Sequence, residues 1–267
     1  MARQGAGVFD GDVGPGEQLN PNVVYTAPRG RGRGVFDVVG DLAGKRVLDI
    51  GCGHAPYRER LEKMGALWTG MDLTGPGCSV IGDGDDLPFR DGSFDAVLCA
   101  AVLEHMPEPD TTMAEMRRVL APGGQLFGYV SFLEPFHGMS YFHMSHLGVE
   151  HLFHKHGFRP VTIFPSRNGT AYQIECLLFP KYVPVLQPVV GALLEGLIRS
   201  VIWANSVARS FYHRLGGNPS PARPSRTSSA RENRRLLALR FAVGFNFVAI
   251  RDEIGGDAPA GYRKLVK

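Results

Sequence analysis

The sequence predicts an α/β fold: a mostly parallel sheet with helices on both faces and a helical insertion before the last strand. Three observations carry this reading. From Lys45 onward, strand-like and helix-like segments alternate. One strand, Arg46–Gly51, runs into a glycine-containing turn. After Ser166 the alternation stops for about 75 residues, until a last strand-like run, Phe241–Glu253. Alternating strands and helices imply right-handed crossovers, and hence parallel strands buried on both sides.

The elements follow in order. Leu67–Leu73, Cys78–Gly82 and Phe94–Val102 are rich in β-branched and aromatic residues and read as strands. Tyr57–Gly65 has helical spacing and a glycine stop, and Thr111–Gly124 is a helix ending in Pro-Gly-Gly. Gln125–Phe132 and Phe158–Ser166 are further strands. Between them Ser145 is placed to cap an amphipathic helix closed by Gly157. These runs divide the chain into a Gly/Arg-rich leader (1–34), a core (35–166 and 241–255) and an insertion (167–240) with a basic linker at about 215–232.

Bulk properties exclude several classes. The chain has 267 residues, 44% hydrophobic and 21% charged, which suits a globular protein with a sizeable core. A net charge of +3 does not call for a nucleic-acid partner. No apolar run is long enough for a confident membrane span, and no secretory signal is expected at the N-terminus. The four cysteines form no C-x-x-C pair and read as free thiols in a reducing, cytoplasmic compartment.

The most informative stretch is Val47–Pro56, a strand ending in Asp-x-Gly-x-Gly ahead of a helix. Gly51 and Gly53 permit a sharp turn and close approach of a ligand. A dinucleotide fingerprint would place a third glycine three residues after Gly53, where Pro56 stands. Asp49 would repel a pyrophosphate and suits a ligand bearing an ammonium. Asp72 closes the next strand, where a carboxylate accepts hydrogen bonds from ribose hydroxyls. A nucleoside with a cationic amino-acid tail and no phosphates satisfies both acids.

Together with Met71–Leu73, Gly82–Met106 and Met116–Phe127, this stretch resembles the class I S-adenosylmethionine-dependent methyltransferases of the small-molecule group. The resemblance covers roughly 40–164. It implies a Rossmann-like seven-stranded sheet whose last strand is antiparallel, with S-adenosylmethionine as cofactor and S-adenosylhomocysteine as product. It assigns Asp49, Gly51, Cys52 and Gly53 to the loop around the methionine moiety, and Asp72 with Leu73 to the ribose side. Asp83 and Gly84 fall at the adenine edge, and Cys99 and Ala100 near the methionine carboxylate or sulfonium. Glu104 and His105 fit its Leu-Glu-His element and shape the pocket. Asp85 and Asp86 read as solvated loop acids.

Methyl transfer to an O, N or C atom of a small, partly hydrophobic metabolite is the expected reaction. A nucleophile carrying a proton benefits from a base titrating near neutrality, usually histidine. His137 and His143, with Tyr141 as an orienting group, lie in the loop after the fifth strand, where substrate meets the sheet's carboxyl edge. On the following helix His151 and His154 fall on the solvent half with Glu150 and Lys155, and His156 lies in the last turn. The His-x-x-His pairs lack a supporting third ligand, so no metal site is expected. The insertion combines an apolar helical stripe with eight arginines against one acid between Arg209 and Arg240. A substrate lid, a subunit interface and peripheral membrane contact all remain open for it. The competing readings are methylation of a polyprenyl- or saccharide-linked substrate at a membrane surface, a nucleic-acid methyltransferase and a non-catalytic cofactor-binding subunit.

Overall fold

The computed structural model describes residues 20, 22–26, 34–134, 138–166, 172–173, ten positions within 193–207, 238–239 and 242–252. Seven strands form one sheet: β1 (Arg46–Ile50), β2 (Leu67–Asp72), β3 (Val80–Ile81), β4 (Phe94–Ala100), β5 (Leu120–Ser131), β6 (Phe158–Pro165) and β7 (Gly244–Arg251). Their order is β3-β2-β1-β4-β5-β7-β6. β7 runs antiparallel to both its neighbours, and the other pairings are parallel. The Rossmann-like sheet with an antiparallel last strand is therefore observed.

Alternation of side chains along each strand makes two cores. Leu48, Ile50, Val97, Leu126 and Val130 face α2 (Pro109–Val119) and α3 (His146–Lys155) and meet Met113, Met116, Val149 and Phe153. Val47, Ala96, Leu98 and Phe127 face the other side and meet Val35, Leu42 and Leu61 of α1 (Arg58–Lys63). Ser145 caps α3 as the sequence predicts, its Oγ accepting from Gly148 N at 3.2 Å. Gly157 follows the helix at φ 67°.

Three local differences have physical causes. The Ala-Pro-Gly-Gly run expected to stop α2 lies inside β5, where Leu120 pairs with Phe94 across a register shift. Chain length in that turn is absorbed by the irregularity instead of by a separate loop. Within the expected loose leader, residues 22–26 pack firmly. Val24 bridges Thr162 of the edge strand β6, and Val23 and Tyr25 are buried. The third difference lies on the polar half of α3, where Glu150 is buried. Its carboxylate accepts from Tyr25 Oη at 2.6 Å and Asn20 Nδ2 at 2.7 Å. His154 Nε2 lies 3.7 Å from the same carboxylate, and its side chain is largely covered. Of the residues expected on the solvent half, His151 and Lys155 are exposed, whereas Glu150 sits under the N-terminal segment and His154 is half-buried beside it.

Candidate active site

The site lies at the carboxyl edge of β1, β2, β4 and β5. β1 ends in Gly51 and Gly53, both left-handed, at φ 65° and 50°. A Cβ on Gly51 would stand 2.5 Å from Val102 Cγ2, so its hydrogen lets the loop close on the turn after β4. A Cβ on Gly53 would meet nothing within 4 Å. That glycine borders open space, as a backbone cradle for a ligand requires.

Both predicted acids flank this loop. Asp72, at the end of β2, accepts from Gly53 N at 2.8 Å and from Thr74 N at 3.2 Å. It therefore braces the glycine loop, and each oxygen keeps a second lone pair for a hydroxyl. Asp49 is buried, with Trp68 Nε1 donating to it at 3.2 Å. Burial pushes its carboxyl up to about 6, the Trp68 hydrogen bond opposes this and the Asp72 charge adds to it. A buried acid so placed is stabilised by a cation, such as an amino acid's ammonium, entering beside it.

The other expected contacts are distributed as follows. Leu73 is exposed beyond β2, and Ala100 is half-buried at the end of β4. Cys52 packs its thiol inward, where burial raises it to about 11, so it meets the loop through its backbone. Asp83 is exposed and accepts from Asp85 N at 3.0 Å, while Gly84 is buried and a Cβ there would approach Met106 Cε at 3.3 Å. Two expectations need correction. The Cys99 side chain is fully buried on the α2/α3 side and does not face the edge. Asp85 is not a free loop acid, because its carboxylate accepts from Thr112 Oγ1.

The loop after β5 is the one expected on the acceptor side. His137 lies outside the described residues. Glu104, in the short 3-10 turn Leu103–His105, is wholly buried, and its Oε1 accepts from Ser131 N at 3.2 Å. The Glu104 carbonyl accepts from Tyr141 N at 2.7 Å and Phe142 N at 3.2 Å. His105 Nδ1 lies 3.0 Å from the Met139 carbonyl oxygen. The Leu-Glu-His element thus pins the loop after β5 to the turn after β4. Its outer surface is an apolar lip of Met139, Tyr141 and Phe142, all exposed. Beside it, His143 Nε2 is 3.0 Å from Ser140 Oγ.

Sequence reasoning missed two groups here. Glu134 accepts from Ser131 Oγ at 2.6 Å and from Tyr172 Oη at 3.4 Å. Tyr129, on β5, has its phenol pushed well above the ordinary range by burial and by the neighbouring Glu134, so it stays protonated. Its place opposite Ala100 was the available signal, through strand register. Ala55, Ala101 and Met139 are the non-glycine residues with positive φ among the described residues. They lie in the loops after β1, β4 and β5 at this edge, and such strain gathers at functional sites.

Residues 48–128 match the methyltransferase-domain family. The four sequence elements that suggested the resemblance fall largely within this matched stretch, as do the glycine loop and both acids. Over 103 residues the chain is 40% identical to a ubiquinone biosynthesis O-methyltransferase of Xanthomonas oryzae pv. oryzae, covering 33% of this chain and 43% of that protein. Over 100 residues it is 41% identical to a fatty-acid O-methyltransferase of Mycolicibacterium smegmatis, covering 32% and 36%. The chain therefore matches less than half the length of these relatives. A putative methyltransferase of Haloferax volcanii, solved with the Trm112 activator, shares the fold at a TM-score of 0.50 and 16% identity, over 82% of this chain and 87% of that one. The similarity in sequence to these relatives covers about a third of the chain, while the fold likeness extends over most of it.

Proposed function

We propose that this chain transfers a methyl group from S-adenosylmethionine to an oxygen of a small, partly hydrophobic acceptor. The observation that carries the reading is the juxtaposition of an open glycine cradle and a buried acid with an apolar lip across the same sheet edge. Asp49 and the Gly51–Gly53 backbone would hold the amino-acid end of the cofactor, and Asp72 the ribose. Leu73 would lie on the ribose side, Asp83 and Gly84 would border the adenine, and Cys99 with Ala100 the methionine end. The fit rests on this chain's donor set: two carboxylates and an unobstructed backbone suit a cationic, phosphate-free nucleoside. When bound, S-adenosylmethionine supplies a methyl group already activated on a sulfonium.

The remaining work is alignment, exclusion of water and removal of a proton. Met139, Tyr141 and Phe142 receive the acceptor's apolar part. His143 takes the hydroxyl proton, with Ser140 orienting its ring, and His137 in the same loop is the second candidate base. Tyr141 contributes its phenol to positioning. The O-methyltransferase names of both relatives support oxygen as the acceptor atom.

The test is methyl transfer from labelled S-adenosylmethionine to a panel of alkyl-substituted phenols and long-chain fatty acids. Turnover is expected with acceptors of this kind. His143→Gln and His137→Gln, made separately, should identify the base by lowering kcat at least tenfold with KM for the cofactor unchanged. Full activity in both variants would remove histidine from the mechanism.

A further inference from the structure

We propose that the insertion docks the protein on an anionic membrane surface through one face of the helix within 193–207. All ten described positions there are helical. Eight are exposed: Leu193, Gly196, Leu197, Ser200, Val201, Trp203, Ala204 and Val207. At about 100° per residue these eight share an arc of roughly 160°, and none carries a charge. Leu194 and Ile198, both half-buried, lie beyond the arc's edge. Leu193 and Trp203 are each 68% exposed and Leu197 61%. The hydroxyl on this face is turned inward, because Ser200 Oγ donates to the Gly196 carbonyl at 2.9 Å.

A helix face turned to water ordinarily carries charged and polar side chains. This one is furnished for an apolar boundary, with Trp203 at the edge of the arc, where an indole meets headgroups. Among the described residues no helix is long and apolar enough to cross a membrane. The geometry suits a helix lying along the interface.

Charge selects the occupant. Residues 167–240 hold 11 Lys and Arg against 3 Asp and Glu, a net +8. The other residues hold 18 against 23, a net −5, which together give the chain its +3. Positive charge is thus segregated into the segment that bears the apolar face. Anionic headgroups complement the charge of that segment. A second copy apposed through the same face would bring +8 against +8.

The inference does not depend on the proposed reaction. The full chain is sedimented with vesicles of phosphatidylcholine alone, or containing about one-third phosphatidylglycerol. Binding to the anionic vesicles is expected to be at least about tenfold tighter, and to weaken in high salt. Leu197→Glu with Val201→Glu should reduce it at least tenfold with unchanged circular dichroism. No binding to anionic vesicles, equal binding to both vesicle types, or full binding by the double variant would overturn the proposal. So would a lipid-free dimer, seen by sedimentation equilibrium, that the double variant dissociates. S-adenosylmethionine titration of the same samples keeps the two readings apart. Vesicle binding without cofactor binding would remove the proposed reaction and leave the docking face standing.

Discussion

Asp49 is held in the free protein at an energetic disadvantage that a cationic ligand removes. Its folded-state value of about 6 exceeds the unfolded value near 3.8 because burial disfavours the carboxylate. The folded state therefore takes up a proton between these values, and this group's contribution to stability falls as pH rises from about 4 to about 6. Above that range the cost is constant, of the order of 3 kcal/mol. Asp49→Asn keeps an acceptor for Trp68 and should raise free-protein stability by about that much at pH 8, measured by urea unfolding. The same substitution should weaken S-adenosylmethionine binding at least tenfold. Wild-type affinity should decline as pH is lowered through 6, whereas the variant's should not. Gly53 separates strain from occlusion. Gly53→Ala places a Cβ in open space but at φ 50°, so stability should fall by only about 1–2 kcal/mol while cofactor affinity falls further.

Elements were legible in the sequence to different degrees. The cap at Ser145 and the stop at Gly157 are local chemistry, and α3 lies where they place it. The burial of Glu150 was not legible, because the groups that compensate it stand 125 and 130 residues away in the N-terminal segment. Burial acts against the ionised form, but the neighbouring His154 and hydrogen bonds from Tyr25 and Asn20 outweigh it and hold the carboxyl below its usual range. A depressed acid contributes stability above its unfolded value, near 4.5, and loses it as pH falls through the folded value. Tyr25→Phe should cost about 1 kcal/mol at pH 7 and move the acid-unfolding midpoint upward, followed by circular dichroism. An unchanged midpoint would mean that the strap contributes nothing through this carboxylate. Cys99 shows the same limit of local pattern. Its place at the end of β4 was readable, but its side-chain direction depends on which sheet face α2 and α3 cover.

For the whole molecule, strand alternation and the Asp-x-Gly-x-Gly turn made the sheet, its carboxyl edge and both acids legible in advance. The acceptor side was less so, because Glu134, Tyr129 and the Glu104 brace meet only through strand register and loop pinning. Three of the loops at this edge, those after β1, β4 and β5, each hold a residue in left-handed strain, over a core closed on both faces. Such a frame positions a ligand without large rearrangement. Calorimetric titration of the full chain with S-adenosylmethionine at pH 8 tests this claim most directly. One equivalent should bind saturably, with affinity at least tenfold weaker in Asp72→Ala. Absence of binding in folded protein, or equal affinity in that variant, would contradict the assignment of the glycine loop to the cofactor.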